Sequence, residues 1–156
     1  MRSIPHSPRR RSDLNIFFDV DYTLQAMDGS LRPGTRTVFE QLVSDGHTIF
    51  IWSGVGIRTA DVERHELDDL VSGVYQKPLE DFESGLVTFN IPVRPDFVID
   101  DYPEIVTEFG GVVARPYYFR QFKDTEMDRI YQIVREYVEY GYSDEVGFRP
   151  GVNGAG

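Results

Sequence analysis

The sequence predicts an α/β sandwich with a mainly parallel central sheet. Apolar runs typical of buried strands alternate with stretches of helical periodicity, in the order strand, helix, strand, helix, strand, and then strand and helix again. The chain has 156 residues, of which 40% are apolar and 27% are charged, as in an ordinary globular domain. No internal repeat or second core can be recognised, so we expect one domain with right-handed crossovers.

The first half of the chain contains three of the predicted strands. Ile16, Phe17 and Phe18 form an apolar run typical of a strand buried on both faces. The helix that follows can begin at Thr35 or Thr37 and end at Gly46. The next elements are a strand over 47–54, a helix over 57–70 and a strand over 72–78, which Pro78 stops.

The second half begins with an irregular segment, 79–95, in which 85–93 is compatible with either a hairpin arm or a loop. A strand over 96–101, a short helix over 102–109 and a strand over 112–119 follow. The last long helix has Asp124 as a favourable N-cap, an apolar stripe that starts at Met127, and Gly141 as a terminator.

The two ends of the chain are expected to lie outside the single folded domain, which spans 14–142. Residues 1–13 form a flexible basic arm with arginines at 2, 9, 10 and 11, and contact with an anionic partner is the alternative. This arm lacks the apolar stretch of a secretory signal. Residues 143–156 are expected to form a flexible glycine-rich tail.

Composition excludes several classes of protein. The chain has no cysteine, which rules out a disulfide scaffold or a thiolate zinc site and is compatible with the cytoplasm. Its apolar runs are shorter than the roughly 20 residues that cross a bilayer, so no membrane partner is expected. The net charge of −10 argues against nucleic-acid binding over a broad face, unless a local basic patch or a metal ion intervenes.

Polar side chains stand where four of the predicted strands end. Function in an open α/β sheet gathers at the carboxyl ends of its strands, and parallel strands bring those ends to one edge. We therefore expect one site that combines the following residues: Asp19 with Asp21 and Thr23, then Ser53, then Lys77, then Asp100 with Asp101.

The residue types at this edge predict a phosphoryl-transfer site. Several carboxylates without histidine or cysteine suit a hard cation such as Mg²⁺. A lysine and a hydroxyl suit a phosphoryl group, which requires positive charge and hydrogen-bond donors. A carboxylate such as Asp19 can attack phosphorus, and a second one, Asp21, can protonate the leaving oxygen and then activate water.

The same motifs resemble those of the haloacid dehalogenase (HAD) superfamily. "FFDVDYTL" resembles its DxDxT motif, "IFIWSG" its second motif, "QKP" its third, and "VIDDYPE" its fourth, with Glu104 at the spacing of a further acid. The match runs from about residue 14 to 119 in the expected order. Tyr22 departs from the pattern, because glycine is common at this position.

The resemblance implies a Rossmann-like three-layer sandwich and Mg²⁺-dependent hydrolysis of phosphomonoesters through an aspartyl-phosphate. It implies Asp19 as nucleophile and metal ligand and Asp21 as general acid and base, with its backbone carbonyl on the metal. Asp100 and Asp101 would complete the metal site. The groups that contact the substrate phosphate would be Thr23, Ser53, Gly54 and Lys77.

No substantial cap domain is expected. About ten residues separate Leu24 from the first helix, and Ser53 and Lys77 are 24 positions apart, so neither gap has room for a cap. An open site in similar proteins goes with a macromolecular substrate or with a second subunit as lid, so a homo-oligomer is possible and the phosphorylated substrate can be small or large. The alternatives are a catalytically silent HAD-like domain that binds phosphate or a partner, and a polynucleotide end phosphatase.

Overall fold

The computed structural model describes residues 13–152. Almost all of the predicted basic arm, residues 1–12, and the last part of the predicted tail, residues 153–156, lie outside the described residues.

The described part of the chain is an α/β fold with a six-stranded sheet in the order β3-β2-β1-β4-β5-β6. Neighbouring strands from β3 to β5 are parallel, and only β6 is antiparallel, to β5. The prediction of an α/β fold with a mainly parallel sheet is confirmed. The strands are β1 (Asn15–Asp19), β2 (Thr48–Ser53), β3 (Gly73–Gln76), β4 (Phe97–Asp100), β5 (Gly111–Val113) and β6 (Phe148–Arg149).

The helices within 13–152 are α1 (Thr35–Ser44), α2 (Thr59–Arg64), α3 (Phe82–Thr88), α4 (Pro103–Phe109) and α5 (Glu126–Tyr140). None of these helices is long and apolar enough to cross a membrane. Helix α1 begins at Thr35, one of its two predicted starts, and Gly46 terminates it as predicted, directly after the C-cap Asp45 and with a φ of 98°. Helix α2 is much shorter than the predicted 57–70. Helix α5 starts after Thr125, while the side chain of Asp124 accepts a hydrogen bond from Glu126 N at 3.2 Å.

Three segments differ from the sequence-based expectations. Residues 82–88 form helix α3, so the start of 85–93 is neither a hairpin arm nor a loop. Gly85 packs closely on Pro78, since a Cβ at this position would lie 2.4 Å from Pro78 Cβ. Strand β5 ends at Val113 rather than 119, because Pro116 has no backbone N–H for a sheet ladder. The segment predicted as a flexible tail contains β6, whose Phe148 pairs with Val112.

The apolar core consists of two clusters to which neighbouring strand residues contribute in alternation. Ile16 and Phe18 belong to the cluster that includes buried residues of α1 and α5. Phe17, which lies between them in the chain, belongs to the cluster that includes α3 and α4. Since side chains alternate along a strand, the sheet is buried on both sides. The central strands β1 and β4 are thereby held rigidly, with their carboxyl ends side by side.

Candidate active site

Two buried aspartates and one lysine form the centre of the candidate site. Asp19 ends β1 and Asp100 ends the adjacent β4, and they are 5% and 0% exposed. Lys77 follows β3, and its Nζ donates hydrogen bonds to Asp19 Oδ1 at 3.0 Å and to Asp100 Oδ2 at 2.8 Å. Three strands thus bring one ammonium group between two carboxylates.

Thr23 and Asp101 complete this centre. The Thr23 hydroxyl lies 3.2 Å from Asp19 Oδ2 and 3.4 Å from Asp101 Oδ1, and it accepts a hydrogen bond from Asp101 N at 3.1 Å. Thr23 is fully buried. Its carbonyl also accepts a hydrogen bond from Arg32 Nη1 at 3.1 Å. The turn after β1 is therefore joined to the end of β4 through one threonine.

Three carboxylates, Asp19, Asp100 and Asp101, each offer an oxygen within 4.8 Å of the others; we call them the carboxylate cluster. Together they could hold a metal ion, and their all-oxygen donor set suits a hard cation. The side chain of Asp21 is not part of this cluster. The expected contribution of its backbone carbonyl stays a prediction.

The charges at the centre are not balanced by Lys77 alone. Burial, together with the nearby Asp100 charge, raises the pKa of Asp19 well above its usual range. Burial also raises the pKa of Asp100, against the effect of Lys77. Burial would lower the pKa of Lys77, but the two carboxylates outweigh it and raise that pKa. A divalent cation at the carboxylate cluster would relieve the repulsion between Asp19 and Asp100.

Asp21, the expected general acid, is paired with Arg58, an arginine outside the predicted set of site residues. Arg58 Nη1 lies 2.7 Å from Asp21 Oδ2, and Nη2 lies 3.1 Å from Asp21 Oδ1. Arg58 Nε also donates to Asp61 Oδ2 at 2.6 Å. The only sequence signal for this role was a cation shortly after the strand that ends at Ser53. A charged residue at the start of a helix is too common for that signal to be used.

Ser53 lies beside this ion pair. Its hydroxyl oxygen accepts hydrogen bonds from Val55 N and from Arg58 Nη1, both at 3.3 Å. Among residues 13–152 the Ser53 hydroxyl hydrogen has no acceptor, so it can donate to an incoming anion. Gly54 allows close packing, because a Cβ at this position would lie 2.6 Å from Leu79 Cδ2.

Tyr22 occupies a strained position between Asp21 and Thr23. Its φ of 65° is in the left-handed region, which costs a bulky residue of order 1–3 kcal/mol. Its N–H donates to Gln25 O and its carbonyl accepts from Tyr117 N, both at 2.8 Å. These bonds hold the strained turn in place, and the Tyr22 ring packs 5.2 Å from that of Tyr118.

An open groove lies away from these residues. It has a volume of about 520 Å³ and is lined by residues that include Asp45, His47 and Arg135. His47 directly precedes β2, so this groove is at the amino end of the strands. The buried, converging charges are at the opposite end, and they identify the candidate site better than volume does.

Comparisons of the chain with protein-family models, with curated proteins and with solved structures found no match. Membership of the HAD superfamily therefore stays a prediction from the four motifs. Function has to be inferred from the geometry of the site.

Proposed function

We propose that the chain is a Mg²⁺-dependent phosphatase that hydrolyses phosphomonoesters through an aspartyl-phosphate at an open site. In this proposal its α/β fold is the Rossmann-like three-layer sandwich of a HAD-like enzyme without a cap. The observation that carries the proposal is the position of Lys77 Nζ, 3.0 Å from Asp19 and 2.8 Å from Asp100, beside Asp101 and Thr23.

A purely structural role for this centre is hard to reconcile with its energetics. Burying several carboxylates costs several kcal/mol per ion unless each charge is compensated, and an apolar residue at these strand ends would be cheaper. One lysine compensates one charge and leaves the carboxylate cluster negative. Such a site is suited to bind a divalent cation and then a phosphate dianion, with Mg²⁺ supplying charge stabilisation to the phosphoryl group.

The proposed reaction has two steps. Asp19 Oδ attacks phosphorus, the bond from phosphorus to the leaving oxygen breaks, and Asp21 gives that oxygen a proton. A water molecule then attacks the phosphorus of the aspartyl-phosphate while Asp21 takes up its proton, the bond to Asp19 breaks, and inorganic phosphate leaves. Lys77 holds the phosphoryl oxygens and offsets their repulsion from the carboxylates.

Arg58 imposes one condition on this reaction. Both carboxyl oxygens of Asp21 accept hydrogen bonds from Arg58, at 2.7 and 3.1 Å, so neither oxygen is available to a leaving group. The pair must therefore separate when substrate binds. Ser53 and Arg58 already share a hydrogen bond at 3.3 Å, so a substrate phosphate near Ser53 would compete with Asp21 for the guanidinium. Arg58 would then bind the phosphate while Asp21 turns to the leaving group.

The two connections next to the site are short, and this supports a substrate larger than the phosphate group itself. The connection from β1 to α1 is the segment 20–34, and β2 and β3 are joined through the single short helix α2. Neither connection contains a folded unit that could cover the carboxylate cluster.

The test is phosphate release from a generic aryl phosphate with Mg²⁺ and with EDTA. We expect Mg²⁺-dependent release that Asp19→Asn lowers by about 10³-fold or more, because the nucleophile is lost. The matched control is Asp128→Asn, an exposed aspartate of α5, which should retain wild-type activity. Release that survives Asp19→Asn would overturn the mechanism. No release from a broad panel of phosphomonoesters would favour the catalytically silent alternative.

A further inference from the structure

One exposed segment has a composition opposite to that of the rest of the chain. Residues 115–123, "RPYYFRQFK", contain four aromatic residues and three basic residues and no acid, within a chain of net charge −10. We call this segment the basic aromatic loop. It begins two residues after the end of β5 and precedes α5.

Much of this loop is presented to solvent rather than packed. Phe119 and Phe122 are 74% and 77% exposed, and half of the Tyr118 surface is accessible. Only Tyr117 is buried, where it packs under the Arg32 guanidinium at 5.0 Å and anchors the loop. Large exposed aromatic side chains in a small protein mark a binding surface rather than a core.

The cations of the loop are available for a ligand. Within residues 13–152, Arg120 and Lys123 form no ion pair within 4.0 Å. The Arg120 guanidinium lies 4.6 Å from the centre of the Phe122 ring. Beside it is an open groove of about 460 Å³, lined by Ser30, Leu31, Pro33, Tyr117, Arg120 and Phe122. This volume is within the range of small-molecule sites.

The loop adjoins the candidate active site. Tyr117 N donates to the carbonyl of Tyr22, and Met27 N donates to the carbonyl of Tyr118 at 2.9 Å. Tyr22 stands between Asp21 and Thr23, and its ring contacts that of Tyr118. A ligand that lies on the loop therefore has one end next to the residues proposed to act on phosphate.

We infer that the basic aromatic loop binds single-stranded nucleic acid and that the substrate of the enzyme is the phosphorylated end of such a strand. This inference rests on the proposed function. Bases stack on exposed aromatic rings, and cations between the rings contact the phosphates that join those bases. The loop presents rings and cations in alternation next to a site for a terminal phosphate.

The acidity of the chain does not exclude this ligand, because the acids around the loop are largely neutralised. Asp124 is paired with Arg32, and Glu126 with Arg115 and Arg129. Asp28 is exposed, and its pKa is lowered first by hydrogen bonds from Ser30 and to a smaller extent by the charge of Arg120. A broad acidic face would repel nucleic acid, but the positively charged loop does not repel a single nucleic-acid strand that lies along it. A phosphopeptide is the competing ligand, and exposed flat rings next to cations favour bases over it.

Binding is measured by fluorescence anisotropy of a labelled single-stranded oligothymidylate, with the full-length Asp19→Asn chain in EDTA so that no turnover occurs. We expect Phe119→Ala and Phe122→Ala each to weaken binding by about tenfold or more. Removing both cations, in Arg120→Gln/Lys123→Gln, should reduce the slope of log K against log salt by about 1.4. The matched controls are Tyr140→Ala and Arg135→Gln, which remove an exposed ring and a cation of α5.

Each outcome decides the inference. Loss of binding in the loop variants but not in the controls supports it. No binding, or binding that the loop variants leave unchanged and that depends instead on the arginines at 2, 9, 10 and 11, overturns it. Loop-dependent binding of a phosphopeptide without binding of the oligonucleotide also overturns it.

Hydrolysis assays separate this inference from the proposed function. If the chain releases phosphate from an aryl phosphate but does not bind the oligonucleotide, it is a phosphatase with another substrate and the inference is wrong. Loop-dependent binding without release from 3′- or 5′-phosphorylated oligonucleotides, or from any other phosphomonoester, leaves a nucleic-acid-binding domain that is not a phosphatase. If the chain both binds the oligonucleotide and releases phosphate, Phe119→Ala should lower kcat/KM for a phosphorylated oligonucleotide end more than it lowers kcat/KM for the aryl phosphate.

Discussion

Lys77 Nζ lies between two carboxylates that are almost completely buried, 3.0 Å from Asp19 and 2.8 Å from Asp100. At the scale of single residues this ammonium group decides the state of the site. Without it, two like charges would face each other in a medium of low dielectric constant. In the proposed reaction the same group holds the phosphate, so one side chain would serve both stability and catalysis.

Lys77→Met should lower the free energy of unfolding at neutral pH by about 3 to 5 kcal/mol, because it leaves buried charges uncompensated. The pKa values of Asp19 and Asp100 are already raised in the folded protein, and losing the cation raises them further. A carboxyl group whose pKa is higher in the folded chain than in the unfolded chain stabilises the fold at low pH. This stabilisation is lost as the pH rises through the folded-state pKa. The difference between variant and wild type should therefore shrink as the pH falls. Urea unfolding over a pH series measures it.

The matched control is Lys123→Met, which removes an exposed lysine outside the site. It should change the free energy of unfolding by less than about 0.5 kcal/mol at every pH. Equal effects of the two substitutions would show that the position of Lys77 between the carboxylates does not contribute to the free energy of unfolding.

At the scale of elements, the first turn of α5 joins the helix to the end of β5 and to the basic aromatic loop. The buried Glu126 carboxylate accepts hydrogen bonds from Arg115 N at 2.9 Å and from Arg129 Nη2 at 2.6 Å. Burial would raise the pKa of Glu126, but these bonds outweigh it and lower that pKa. The carboxylate also lies in the first turn of a helix, where the helix dipole favours negative charge.

Glu126→Gln should lower the free energy of unfolding by about 2 kcal/mol at neutral pH, because hydrogen bonds to a buried charge are replaced by weaker ones. A carboxyl group whose pKa is lower in the folded chain stabilises the fold at pH values above its usual pKa of 4.5. This stabilisation is lost as the pH falls through the folded-state pKa. The gap between wild type and variant in urea unfolding should therefore close below about pH 4.5.

The control for Glu126 is Glu40→Gln on α1, whose partner Arg36 and own side chain are both exposed to solvent. Exposed pairs contribute about 0 to 1 kcal/mol, so this variant should be close to wild type. A gap for Glu126→Gln that persists unchanged in acid would contradict the assignment of an ionised carboxylate.

At the scale of the whole molecule, the sheet order brings together groups from distant parts of the chain. Strands β1 and β4 are neighbours, although more than 70 residues separate Asp19 from Asp100. Both strands are central and packed on two sides, so the carboxylate cluster cannot spread apart to relieve its repulsion. The fold therefore maintains a site that a cation would stabilise.

Mg²⁺ should raise the midpoint of thermal unfolding, because it binds the folded chain and not the unfolded one. At a concentration a hundredfold above its dissociation constant the gain is about 2.7 kcal/mol, or roughly 5–10 °C for a chain of this size. Asp100→Asn should abolish most of this shift, while Asp128→Asn should keep it. Differential scanning calorimetry with Mg²⁺ and with EDTA measures both. A shift of equal size in Asp100→Asn would exclude the carboxylate cluster as the metal site.

The fold and part of the site were predictable because they depend on local signals. Apolar runs such as Ile16 to Phe18 determine buried strands, and the residues that end them determine which chemistry is available at the sheet edge. Helix α3 was not predictable, since Gly85 interrupts its local helical signal and its position depends on packing against Pro78. The two-residue strand β6 has too little sequence to carry a pattern of its own.

The sequence by itself determined an α/β chain with carboxylates, a lysine and hydroxyls where its strands end. Only the tertiary structure decided which of these groups meet: Lys77 between Asp19 and Asp100, Arg58 on Asp21, and an aromatic, basic loop held against Tyr22. The physical reason is the sequence separation over which each interaction acts. Hydrophobic periodicity acts between residues a few positions apart, whereas ion pairs and exposed surfaces depend on how distant segments pack.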